Sequence, residues 1–357
     1  MPATPARRLS LIAALGLALV GAAAAPVLAT KPVASPQADL KGYLGRLKVL
    51  PPETHDGLAI YPLVATADYP LANHLTLDEA LQAKALKVTE LTDKAEVNTL
   101  LLENVGAKPI FIMAGEILRG AKQDRTMQSD LLIPPKSGKL KVSVFCTEHG
   151  RWAENSDQFA SAGQAVPNSV RQAARIDKNQ RAVWSSISDN QSRLKAAAPT
   201  EAAKDVYENQ AVQKDMQPFV TKLGGLTKRH AHVVGVIAAH GDRLIAVDVF
   251  GDDHLFGRLY PKLLRSYAVD VLNDKPKGAF SAKDASLLLA MATGSEWVRR
   301  PTEGVGTALE LTQKRVHGSA LLDGAMAIHA DVFEGEAQPQ QPTAREAIPN
   351  VQQRRNR

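Results

Sequence analysis

Two short stretches of this sequence concentrate side chains that could hold or act on a ligand. The first, GEILRGAKQDR at residues 115–125, sets Arg119, Lys122 and Arg125 beside Glu116 and Gln123. Gly115 and Gly120 within it allow a ligand to approach the backbone closely. Guanidinium forks together with free backbone N–H groups suit a carboxylate or a phosphate. The second stretch, CTEHGRW at residues 146–152, adds Glu148, Arg151 and Trp152, whose indole face can stack on a base or a sugar. In an enzyme, Glu116 or Glu148 would be the acid/base, and the arginines would clamp charge. The same residues also suit a second role, a buried ion-pair network that ties two loops together.

Other chemistry is thinner. His230 and His232 alternate onto one face of an expected strand, and Asp253 with His254 returns alongside after a hairpin. Those four could ligate a transition metal. No local motif sets their geometry, so solvated histidines at a polar strand end are the preferred reading, and no cofactor is assigned. Cys146, the single cysteine, ends an apolar run and is read as core despite the nearby His149. It also excludes any intramolecular disulfide. Phosphate-loop, nucleophile-elbow, zinc-protease and dinucleotide signatures are absent.

These residues need elements to position them. Branched, short runs at 58–66, 86–91, 96–104, 109–115, 127–134 and 139–145 predict antiparallel strands separated by turns. Thr76 and Glu79 form a capping-box pattern that predicts a short helix through Lys84. After residue 167 the chain turns charged and Ala/Gln-rich, which predicts helices over 169–197 and 200–220, parted by Pro199. Strands at 231–239 and 243–251 flank a hairpin at Gly241-Asp242. Phe256, Leu259, Tyr260, Leu263, Leu264, Tyr267, Val271 and Leu272 then recur at helical spacing. Ser281 and Asp284 cap one more helix, and strands at 307–316 and 325–333 close the fold. The expected class is α+β: an antiparallel sheet system with a helical middle and a C-terminal hairpin–helix unit.

The chain of 357 residues has a formal net charge of +6, which taken alone suggests a polyanion. Its placement argues otherwise. Residues 1–29 read as an export signal: Arg7 and Arg8, an apolar run over 9–20, then a small-residue cleavage region. A Sec-type signal fits better than a twin-arginine one, and a periplasmic or secreted protein without stable membrane insertion is expected. Residues 335–357, rich in Gln, Pro and Arg, read as a disordered tail. Residues 30–42 read as a linker. The remaining single domain, 43–334 with a possible division near 167, is almost neutral, which argues against a nucleic-acid partner.

With these motifs in view, the chain resembles the ADP-ribosylglycohydrolase- and rhodanese-phosphatase-superfamily-associated protein family, a bacterial domain. GEILRGAKQDRT and CTEHGRW carry the resemblance. It extends through TLDEAL, EVNTLLLEN, the helical run with Arg171 and Trp184, GVIAAHGDRLIAVDVFG and LLRSYAVDVL, roughly residues 57–273. Asp124 and His149 depart from the family's commoner Asn and Gln. The family's name implies a nucleotide-like ligand only by association. The expectation is an exported domain binding a small anionic ligand through the two loops. The alternatives are a hydrolase or transferase acting on a phosphorylated or ADP-ribose-like compound, and a structural envelope protein.

Overall fold

The computed structural model describes residues 35–66, 73–91, 98–120, 123–149 and 159–335. The expected signal, the C-terminal tail beyond residue 335, and Lys122, Arg151 and Trp152 lie outside these residues.

A nine-stranded sheet is assembled from both ends of the chain. Its order is Leu47–Val49, Leu58–Ala65, Val233–His240, Arg243–Phe250, Met326–Glu334, Val316–Asp323, Thr307–Gln313 and Val298–Arg300, with Glu53–His55 also pairing Leu58–Ala65. Neighbouring strands are antiparallel, joined where sequence allows by tight hairpins such as the one at Gly241-Asp242. Every residue of Val233–His240 is buried, which explains its unbroken apolar run. One face is covered by the helix Asp253–Val271, capped by the Asp252 side chain at Leu255 N. Its Phe256, Leu259, Tyr260, Leu263 and Tyr267 enter a core with Ile60, Val236, Ala238 and Ile245. The other face is covered by Pro36–Leu44 and Ala282–Gly294, through Leu40, Leu44, Ala285 and Ala292.

A six-stranded sheet follows the order Ala160–Ala165, Glu116–Arg119, Arg125–Met127, Lys139–Cys146, Thr99–Asn104 and Leu86–Glu90, and Ile110–Ile112 pairs separately with Leu131–Ile133. The chain is therefore α+β with antiparallel sheets, as expected. Among the described residues, no helix is long and apolar enough to cross a membrane.

Four local expectations need correction. Residues 36–44 form a helix, not a linker: Ser35 caps it at Ala38 N and Leu40 seats it in the core. The expected strand at 127–134 is split between two sheets, and the break lets Asp130 turn inward. The single helix expected at 169–197 is three pieces: Asn168–Gln172, a π-helix over Ala173–Asp177, and Gln180–Leu194. Lys178 separates the last two in the left-handed region (φ 52°), a position for which sequence rules look to Gly or Asn. Finally, His230 ends the helix Leu226–Arg229 and His232 has φ 57°, so the two do not share a strand face; the strand begins at Val233.

Candidate functional site

The two signature stretches lie close together, and the first is not a loop but contributes two paired strands, Glu116–Arg119 and Arg125–Met127, the second of them bordering Lys139–Cys146. Arg125–Met127 pairs Leu118 with Arg125 on one side and Cys146 with Arg125 on the other. At that edge Gln123 Nε2 donates to the Glu148 carbonyl at 2.9 Å, and Asp124 N donates to Glu148 Oε2 at 3.2 Å. Arg125 Nη1 donates to the Gln123 carbonyl at 2.8 Å, and its other nitrogen lies 3.6 Å from Glu90. Gln123, Arg125 and Glu148 are all buried. Arg119 is half-exposed and faces Glu208 at 3.4 Å. The exposed His149 ring packs edge-on against Trp184 at 4.7 Å.

Glu116 is not with them. It begins its strand opposite Ala165, is fully buried, accepts from Met113 N at 2.8 Å and holds Lys262 Nζ at 2.5 Å. Burial raises its carboxyl above the usual range, against the pull of Lys262. To act as an acid/base, Glu116 would have to leave both partners. Gly115 has an equally local reason: at φ 91°, an added Cβ would sit 2.6 Å from Cγ of Arg171.

That Arg171 belongs to the most charged part of the interior, which residue-type motifs did not reveal. Asp248 and Asp331 are direct cross-strand partners in the large sheet, an arrangement that repels unless cations intervene. Arg171 forks onto Asp248 at 2.6 and 3.2 Å. Arg175 Nε and Nη2 reach Asp331 at 3.0 and 2.9 Å, and Nη2 lies 3.7 Å from Asp130. His329, two residues before Asp331 and so on the same face, bridges Asp130 (Nδ1, 2.8 Å) and Asp248 (Nε2, 3.1 Å). Tyr267 donates its hydroxyl to Asp248, and the Ala114 amide donates to Asp130 at 2.8 Å.

Three carboxylates thus face three cations, all buried. Burial opposes charge on His329, but Asp130 and Asp248 push its pKa up to about 9, so it is an imidazolium at neutral pH. Burial raises the Asp248 carboxyl, but Arg171 and, after it, His329 outweigh that and hold it down to about 2. Sequence did carry a faint signal: VDV at 247–249 and HAD at 329–331 put charge into otherwise apolar strands, costly unless paired.

Above this cluster opens a cleft of about 210 Å³. Arg175 and Asp331 line it together with Lys178, Arg300, Glu310 and His317. The π-helix is what delivers Arg175 to the cluster, and Lys178 follows it immediately; π turns of this kind recur at functional sites. Glu310 accepts from Lys178 and from Arg300 Nε at 2.7 Å. His317 Nε2 is buried without a hydrogen-bond partner among the described residues. Arginines and lysine outnumber carboxylates three to two at this cleft.

Among the described residues, Asp130, His329 and Asp331 bring three metal-ligand atoms within 4.8 Å of one another. Arg175 lies against both carboxylates and His329 carries a proton there, so the cationic place is filled by the protein's own groups. Of the four residues weighed as a metal site, His232 and His254 each stand 3.8 Å from Asp253 and are largely exposed. His230 turns away to Glu53 at 3.0 Å.

Fold and site together define an α+β domain whose interior charge cluster meets the surface at a cationic cleft. The chain belongs to the ARG and Rhodanese-Phosphatase-superfamily-associated Protein domain family, whose model matches residues 46–333. That name records an association and contains no activity. No curated protein and no solved structure matches the chain.

Proposed function

We propose that this domain, exported by its N-terminal leader, binds a small anionic ligand in the cleft over Arg175, Lys178 and Arg300. The observation that carries this reading is the position of Arg175. It lines an open cleft while its back is held by Asp331 and Asp130, so its guanidinium is pre-oriented by buried partners. Lys178 and Arg300 supply further positive charge from half-exposed side chains that can close on a ligand. A small phosphate- or carboxylate-bearing compound fits both the charge and the size of the cleft.

A second reading places the ligand at the signature loops, with Arg119 and Gln123 as contacts beside Trp184. The observation in its favour is Trp184 Nε1, a buried donor without a partner among the described residues. Calorimetric titration of inorganic phosphate into the wild type, the Lys178→Ala/Arg300→Ala double variant and Arg119→Ala separates the two. Under the first reading the double variant loses at least tenfold in affinity and Arg119→Ala is unchanged. The reverse pattern assigns the loops, and absence of binding in the wild type defeats both.

A further inference from the structure

We propose that the ligand of the cleft carries a dianionic, phosphate-type group, and that Glu310 is a built-in carboxylate competitor that any ligand must displace. The inference rests on the cleft being an anion site and narrows what that anion is.

Glu310 already occupies the place that a ligand carboxylate would take. Its Oε1 is held by Lys178 Nζ and its Oε2 by Arg300 Nε, on two sides of one carboxyl group. The holders come from distant parts of the chain: Lys178 follows the π-helix, and Arg300 ends the edge strand Val298–Arg300. Glu310 itself sits on the neighbouring strand, opposite Val298. Lys178 and Arg300 are 39% and 49% exposed, and such contacts are screened by water and individually weak. They hold Glu310 in the cleft without locking it there.

This arrangement sets a threshold that an anion must exceed to enter. A tethered carboxylate competes at an effective concentration of about millimolar or higher. A free monocarboxylate offers Lys178 and Arg300 only what Glu310 already provides, and it must pay the entropy of association as well. A phosphate dianion brings one more negative charge and additional acceptor oxygens. Those can reach past the Glu310 position toward Arg175 and toward the hydroxyls of Thr312 and Ser319, which line the same cleft. Only the dianion gains by the exchange.

The test is calorimetric titration of the purified chain at pH 8 with acetate, inorganic phosphate and glycerol 3-phosphate, in the wild type and in Glu310→Gln. The wild type is expected to bind a phosphate compound at least tenfold more tightly than acetate. Glu310→Gln, which removes the competitor for both ligands, is expected to raise acetate and phosphate affinity alike, about tenfold each, with an unchanged melting temperature as the folding control. Tighter binding of glycerol 3-phosphate than of inorganic phosphate would assign a monoester, and the opposite order the free anion; both support a dianion. Equal wild-type affinity for acetate and phosphate overturns the proposal. So do acetate and phosphate affinities that Glu310→Gln leaves unchanged, and if phosphate binding is still lost in Lys178→Ala/Arg300→Ala, the anion site itself stands. If no anion binds to either protein, the site and its selectivity fall together.

Discussion

Two of the groups of buried charges among the described residues are built in opposite ways. In the signature stretches most partners are close along the chain or on adjacent strands: Arg125 reaches back to the Gln123 carbonyl, and Asp124 meets Glu148 at the end of the directly paired strand. The interior cluster draws Asp130, Arg171, Arg175, Asp248, His329 and Asp331 from four distant segments and opens toward solvent through Arg175 and Asp331. The contrast teaches that density of charge in a motif marks local closure at least as readily as a ligand site. Charge gathered from afar beneath a cleft is harder to explain by local structure alone.

The largest expected effect tests the cluster's ionic character. Arg171→Ala leaves Asp248 buried without its forked partner and should cost about 3–5 kcal/mol of stability in urea unfolding. A loss under about 1 kcal/mol would mean that His329 and Tyr267 carry Asp248 by themselves, and the picture of three balanced pairs would fail.

Next is the pH dependence of His329. Its folded pKa, near 9, lies above the unfolded value of about 6.5. Its stabilisation is therefore fully present below about pH 6.5 and is lost as pH rises through 9, a change of about 3 kcal/mol. Unfolding free energies measured from pH 6 to pH 10 should fall over that window, and His329→Gln should flatten the slope.

A smaller effect is expected at Glu116→Gln. Lys262 keeps Asp78 at 2.8 Å, so the charge is not abandoned, and the loss should be about 2 kcal/mol by denaturant titration. The smallest is Arg119→Ala. Its pair with Glu208 is half-exposed on both sides, so stability should change by less than about 0.5 kcal/mol and phosphate affinity not at all. Loss of phosphate affinity in that variant would move the ligand to the loops and reverse the comparison.

Much of the fold was legible in the sequence. The capping box at Thr76, the helix with Leu259, Leu263 and Tyr267 on one face, and the hairpin at Gly241-Asp242 all follow from local rules and are found. The helix at Pro36–Leu44 carries a start signal, Ser35 followed by proline, but the Pro/Ala/Ser composition around it is that of a linker. The π-helix had no signal to find: a lysine takes the left-handed position that normally advertises itself with glycine. The two signature stretches do meet, but not through neighbouring parent strands: Ile110–Ile112 pairs elsewhere, with Leu131–Ile133, and the first stretch reaches Lys139–Cys146 through its own strand Arg125–Met127. The separation of Glu116 from Glu148 was not legible, because it depends on which end of the strand each occupies.

By itself the sequence determined the α+β class, most strand and helix positions, the near-neutral body and the family motifs. Periodicity, caps and turns act within a few residues and are written there. Only the tertiary structure decided which charges meet. Asp248 and Asp331 become neighbours through strand register, His329 shares their face, and the π-helix delivers Arg175 between them and the cleft. In a low-dielectric interior a charge is tolerated only beside its partner. Those partners lie tens to hundreds of residues apart, so no local pattern announces them.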